Sequence, residues 1–234
     1  MSEPGTDLSD SPPGVGVHTR RPNHQSPLDT AVPRFDAIRR AIDIVHGTEI
    51  PTPLIQSRAL SHRYGRDVFL KLESLSPVRS FKHRGALAAV PQLVANHGTA
   101  GLYTASTGNH GQGVAYAGTR AGVAVTVCAP TNTLIDKVEA MQNLGAHVTR
   151  AGANLSEAQE AAKEMAGATG GIYMEDGEDP ELMAGAASVV GEILDAQPEI
   201  ENIIIPVGGG NLIAGSLLIG EMVNPSVHMI GVQS

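Results

Sequence analysis

The sequence predicts an α/β fold with a mostly parallel, doubly wound sheet, and three observations carry that expectation. From Gly101 onward, short aliphatic runs alternate with amphipathic stretches, the order that strand–helix–strand units produce. Aromatics are scarce (no Trp, 3 Phe, 4 Tyr), so the core must come from Ala, Val, Ile and Leu, which buried parallel strands favour. Several of the 27 glycines fall just after aliphatic runs, where strand turns into helix. In such sheets ligands gather at the carboxyl ends of strands, so the strand-to-helix turns are the segments to inspect.

Taken in order, residues 1–33 are rich in Ser, Pro, Gly and Asp and nearly lack aliphatics, so they read as a disordered leader. FDAIRRAIDIVHG predicts a helix, with Phe35, Ile38, Ile42 and Val45 at helical spacing and Gly47 as its stop. TPLIQSRALSHRYG leads to a strand in DVFLKLE. GLYTAS is a strand feeding a helix from about Asn109 to Ala121, and VTVCAP feeds TLIDKVEAMQNLG. AHVTRAG precedes the helix LSEAQEAAKEMAG, for which Asn154 or Ser156 is the candidate cap. IYMED precedes DPELMAGAASVVGEILDA, NIIIPVG precedes NLIAGSLLIGEMV, and HMIGVQ is the last strand.

Composition excludes several classes. The net charge is −8 and no Lys/Arg stripe with interleaved aromatics exists, which argues against nucleic acid. No segment is long and apolar enough for a bilayer span, and the start lacks an apolar signal core, so no membrane partner is expected. The single Cys128 lies in an aliphatic run and reads as a small core residue; with no disulfide framework, a cytoplasmic chain is expected. The 9 histidines show no clustered ligand spacing, so no metal site is expected.

Three segments carry chemistry. Ser80-Phe81-Lys82-His83-Arg84-Gly85-Ala86 opens a helix. A lysine there faces the positive end of the helix dipole, a setting suited to an amine that must be neutral to condense with a carbonyl. On its own the signal is weak, because an arbitrary surface lysine is far more often a solvated charge. Thr104 to Gly111 (TASTGNHG) follows a strand, and small hydroxyl residues, glycine and amides at a helix start make either an anion cradle or an ordinary cap. Pro206 to Leu212 (PVGGGNL) follows another strand. Three successive glycines cost backbone entropy, so close approach of a phosphate is favoured over a plain tight turn. The segment lacks both the Gly-Lys-Ser/Thr of a nucleotide loop and the GxGxxG of a dinucleotide turn.

Together and in this order, the three segments resemble the threonine/serine dehydratase group of fold-type II pyridoxal 5′-phosphate (PLP) enzymes, which are tryptophan synthase β-like. The resemblance runs from about Thr52 to Val232 and rests on SFKxRGA, STGNHGQGVAYAG and PVGGGNLIAG, with PTNTLIDKVEAMQNLGAHVTR between. It implies a two-lobed fold, with residues 34–100 and 179–234 in a large PLP-binding lobe, incomplete here, and 101–178 in a small lobe. It makes Lys82 the Schiff-base lysine, with Phe81 packing near the cofactor ring and Asn109 reaching the phenolic oxygen. Ser106, Thr107, Gly108, Asn109 and His110 would receive the substrate carboxylate; Gly208, Gly209, Gly210, Asn211 and Leu212 would cup the cofactor phosphate.

The implied reaction is β-elimination from L-threonine or L-serine, with Lys82 as general base at Cα, giving a 2-oxo acid and ammonia. Thr107 stands where racemising relatives carry a serine, which leaves racemisation open without favouring it. The family's habit implies a homodimer.

The sequence also departs from the family. Asn211 replaces the fourth phosphate-loop glycine, and Arg79 the glycine that commonly precedes SFK. Gln233 stands where some relatives have a metal-binding Glu. Relatives continue past residue 234 and there supply the group that contacts the pyridine nitrogen, so an open sheet edge and an apolar face are expected. No regulatory domain, and hence no feedback control, is expected. His83 and Arg84 are expected on the helix exterior or at a lobe contact, and Asp176 and Glu178 in a solvated turn. Two alternatives remain beside the lyase: a β-replacement enzyme such as cysteine synthase, and a truncated PLP-binding fragment or pseudoenzyme.

Overall fold

The computed structural model describes residues 32–98, 100–177 and 179–233. The expected leader lies outside the described residues up to position 31, as does Glu178. Helix α1 (Phe35–Thr48) buries Ile38, Ala41 and Val45 on the face turned towards α3 and α7, described below. Phe35 is half exposed, and Gly47 does not stop the helix; the Glu49 N–H closes it on the Val45 carbonyl.

Strand β1 (Leu54–Gln56) pairs antiparallel with β2 (Phe69–Lys71), with α2 (Arg58–Tyr64) between them. Lys71 at the end of β2 reaches Glu192, a carboxylate it shares with Arg84 of α3 (Lys82–His97). From there strands and helices alternate as expected: β3 (Leu102–Ala105), α4 (Asn109–Ala121), β4 (Val125–Ala129), α5 (Ile135–Asn143), β5 (His147–Arg150), α6 (Leu155–Thr169) and β6 (Ile172–Tyr173). These four strands form one parallel sheet in the order β5-β4-β3-β6. Asn154 caps α6: its side chain accepts from the Glu157 N–H at 3.0 Å, and Glu157 accepts in return from the Ala153 N–H at 2.8 Å.

The stretch read as one helix after IYMED is two, α7 (Pro180–Ala186) and α8 (Ser188–Ala196). At the break the Ser188 hydroxyl donates to the Gly185 carbonyl at 2.7 Å, and such back-bonding by serine bends helices. β7 (Asn202–Pro206) and β8 (His228–Val232) pair in parallel across α9 (Asn211–Val223). Ile204, Leu217, Ile230 and Val232 are exposed.

Three apolar clusters result among the described residues, the smallest of them Ala105, Cys128, Ala158 and Ala162 between the sheet and α6. Of the larger two, one surrounds the four-stranded sheet (Leu102, Val114, Val127, Met141), the other the β7–β8 pair (Ile38, Val190, Ile203, Ile219). α3 serves both, giving Leu87 and Val90 to the first and Ala88 to the second. Backbone packing of this helix is set by glycine: a Cβ on Gly85 would lie 2.5 Å from the Leu182 carbonyl oxygen, and one on Gly185 2.4 Å from that of Arg84. Cys128 is buried, as expected, and desolvation raises its thiol pKa. No helix of the described residues is long and apolar enough to cross a membrane.

Candidate active site

A cavity of about 470 Å³ opens where β3 ends. Lys82, Ala105, the 106–110 turn, Lys137, Leu155, Gln159, Glu175 and Asp176 line it. Lys82 is the first residue of α3, and its backbone is pinned from behind. A Cβ on Gly113 of α4 would fall 2.8 Å from the Lys82 carbonyl oxygen, so only glycine lets the two helices meet there. The lysine side chain therefore starts from a fixed point and projects into the cavity.

The 106–110 turn is tied at both ends. The Ser106 N–H donates to the Cys128 carbonyl at 3.1 Å, and its hydroxyl accepts from the Gly108 N–H at 3.0 Å. Ser106 is buried, whereas Thr107 and Asn109 face the open cavity. His110 is buried, and Thr104 sets its tautomer. The Thr104 hydroxyl spends its proton on the Met174 carbonyl at 2.8 Å and so must accept from His110 Nε2–H at 3.0 Å. Nδ1 of the neutral ring is then unprotonated. Desolvation lowers the His110 pKa, outweighing the opposing pull of the Asp176 carboxylate, so the ring is neutral at neutral pH.

Asp176 is a correction to the sequence reading. Its carboxylate is not simply solvated. Lys82 Nζ donates to Oδ1 at 2.7 Å and to Oδ2 at 2.8 Å, Asn211 Nδ2 donates to Oδ1 at 3.3 Å, and His110 Nδ1 lies 3.6 Å away. For His83 and Arg84 the first of the two expected placements is corrected: neither faces the helix exterior, each being 1% exposed. Arg84 joins Glu73, Glu192, Ser188 and Thr52, with Lys71 donating to Glu192 from the other side. His83 donates from Nδ1 to the Ser80 carbonyl at 2.9 Å and meets Tyr116 of α4 edge-on. Desolvation lowers its pKa as well.

Phe81 and residues 208–212 are not on the cavity wall. The Phe81 ring packs against the second cluster, its centroid 5.4 Å from Lys82 Nζ, and Leu212 packs there too. The glycine loop approaches from the side: a Cβ on Gly177 would lie 3.8 Å from the Gly209 carbonyl oxygen, and Asn211 reaches Asp176. A Cβ on Gly208, Gly209 or Gly210 would meet nothing within 4 Å, and the N–H groups of all three donate to no described residue. Bare backbone donors at the amino end of α9 thus face open space, as an anion cradle requires.

Lys137, Gln159, Glu175 and Asp176 were missed in the sequence because they come from two helices, α5 and α6, and from the turn after β6, which only folding brings together. Arg79, just before SFK, has φ 56°. That left-handed conformation is the physical reason a glycine would stand there.

The family described as pyridoxal-phosphate dependent enzyme matches residues 45–234. The biosynthetic L-threonine dehydratase of Pasteurella multocida is 38% identical over 183 residues, 78% of this chain and 36% of the relative. The L-threonine ammonia-lyase of Thermotoga maritima is 36% identical over 199 residues, 85% of this chain and 49% of its own. The processed form of threonine deaminase isoform 2 from Solanum lycopersicum superposes with TM-score 0.79 at 34% identity, covering 87% of this chain and 57% of that one. The chain therefore spans half or less of the length of the first curated relatives it matches.

Proposed function

Because this chain belongs to the pyridoxal-phosphate dependent enzyme family, we propose that it deaminates L-threonine or L-serine to a 2-oxo acid and ammonia. The observation that carries the reading is one lysine, Lys82, fixed at a helix start on the wall of a cavity that the 106–110 turn of small and amide residues also lines. The residues present fit the cofactor. Lys82 offers the amine, and Gly208, Gly209 and Gly210 offer unengaged N–H groups at a helix amino end. Lys82 and Asn211 already gather one anion, the Asp176 carboxylate. When bound, PLP supplies an electron sink for the charge that develops at the substrate Cα.

The chain's own groups do the rest. Lys82 Nζ would hold the cofactor and, once released, carry the proton taken from Cα. The 106–110 turn at the amino end of α4 would seat the substrate carboxylate. Lys137 adds a cation there: its Cδ lies 4.0 Å from a Cβ built on Gly108, and its Nζ has no partner among the described residues. Neutral His110 would hold the cavity wall without adding charge beside the amine. Phe81 packing near the cofactor ring, Asn109 on its phenolic oxygen and Asn211 with Leu212 at its phosphate belong to the same proposal. So do the division into lobes (34–100 with 179–234, and 101–178), a homodimer, and a cytoplasmic setting, which the lone buried thiol supports.

The test is a visible spectrum of the purified chain with added PLP, before and after L-threonine or L-serine, coupled to a 2-oxo acid assay. The reading expects a band that Lys82→Ala abolishes, together with keto-acid release. A lysine-dependent band with no keto acid from either substrate refutes the lyase, and no band refutes the cofactor reading.

A further inference from the structure

We propose that Asp176 is the counter-ion and positioning residue of Lys82, held in a two-point ion pair that an incoming cofactor must break. The proposal rests on the reading of Lys82 given above, but its geometry stands independently. Both carboxylate oxygens lie within hydrogen-bond distance of Nζ, at 2.7 and 2.8 Å. An incidental surface pair holds two long side chains loosely and contributes little. This one is neither loose nor fully solvated: the side chains are 18% and 33% exposed, and the carboxylate is also gripped by Asn211 Nδ2 at 3.3 Å. Three helices thus converge on one carboxylate. α3 brings the lysine, α4 brings His110 and α9 brings Asn211, while the turn after β6 supplies Asp176 itself.

Its position has a consequence for loading. Asp176 links the amine to Asn211, the residue that follows Gly208, Gly209 and Gly210, and a Cβ on the next residue, Gly177, would lie 3.8 Å from the Gly209 carbonyl oxygen. A phosphate group approaching the glycine loop meets a fixed negative charge. An aldehyde approaching Lys82 meets an amine whose protons are already shared with that carboxylate. The neighbouring Glu175 does not add to the competition, since it is engaged by Gln159 at 2.7 Å, Tyr173 at 2.7 Å and Lys163 at 3.6 Å. Removing the Asp176 charge while keeping its shape should therefore free the amine and ease loading. Once displaced, the carboxylate stays tethered to its turn, within reach of the lysine whenever the amine is released again.

The experiment compares wild type, Asp176→Asn and Asp176→Glu, with Lys82→Ala as background. The first readout needs no cofactor: the rate at which a neutral acylating reagent, N-hydroxysuccinimidyl acetate, modifies Lys82, followed by peptide mass spectrometry. Asp176→Asn should be modified roughly three- to tenfold faster than wild type, the size expected from losing one partly exposed charge-assisted pair. Asp176→Glu should return towards the wild-type rate. Added salt should accelerate wild type and leave Asp176→Asn unchanged, because only the former has an ion pair to screen. The second readout is the rate of PLP capture, which should also rise in Asp176→Asn. Equal labelling of wild type and Asp176→Asn, Asp176→Glu behaving like Asp176→Asn, or slower cofactor capture by Asp176→Asn would each overturn the proposal. A chain that never captures PLP sinks the functional reading instead, while the labelling rates still decide the role of Asp176.

Discussion

Replacing Arg84 by methionine should be among the most damaging single changes in this chain that leave the cavity wall intact. Arg84 is 1% exposed and donates to Glu73 at 2.9 Å through both Nε and an Nη, and to Glu192 at 2.5 and 3.0 Å. It also donates to Ser188 at 3.0 Å and Thr52 at 3.3 Å. With Lys71 on Glu192, two cations face two carboxylates. In the variant Lys71 still serves Glu192, but Glu73 keeps only the Thr52 hydroxyl. Breaking one side of a buried pair costs about 3–5 kcal/mol, against a total stability of about 5–15 kcal/mol. At roughly 2–4 °C per kcal/mol for a chain of this size, the thermal midpoint should fall by about 6–20 °C, read by circular dichroism. The pH dependence gives a second check. Burial alone would raise the Glu192 carboxyl pKa, but Arg84 and then Lys71 outweigh it and hold the pKa below the ordinary range. The stability this contributes is present above about pH 4.3 and is lost as pH falls through the folded value. The gap between wild type and variant should therefore narrow in acid. A fall of less than about 3 °C, or a gap that stays constant below pH 4, would refute this account of the network.

Further predictions follow from packing and titration. Gly185→Ala should cost about 1–3 kcal/mol or more in urea unfolding, because its Cβ would sit 2.4 Å from the Arg84 carbonyl oxygen and 2.7 Å from the Gly85 Cα. An unchanged midpoint would mean that α3 and α7 do not meet backbone to backbone. Arg79→Gly should be neutral or stabilise by up to about 1 kcal/mol, since a side chain at φ 56° carries left-handed strain; a clear loss would show that the arginine makes a compensating contact. His83 and His110 are both depressed by desolvation, so the unfolded chain binds their protons first. Stability should be full above about pH 6.5 and decline below it, by up to about 1.4 kcal/mol per pH unit for each ring. His110→Asn should remove one share of that slope, and a flat profile from pH 7 to 5 would contradict the buried neutral rings.

The alternation of strands and helices, the Asn154 cap, the buried Cys128 and the glycine turn ahead of the last helix were legible in the sequence because they are local. Hydrophobic period, cap chemistry and backbone freedom act within a few residues of chain. Lys82 and the 106–110 turn could be named from their segments, and the structure sets them on one cavity wall. Other features were not local. Asp176 looked like any acid in a turn until folding laid that turn between α3 and α9. Arg84 looked like a surface cation until Glu73, Glu192 and Lys71, scattered over more than a hundred positions, enclosed it. The break after Ala187 turned on one serine hydroxyl reaching a carbonyl three residues back. The sequence by itself thus determined the alternation of strands and helices from Gly101 onward and the position of the turns between them. Only the tertiary structure decided which charges meet, because a buried or shared charge is an energy of surroundings, and surroundings exist only once distant segments pack.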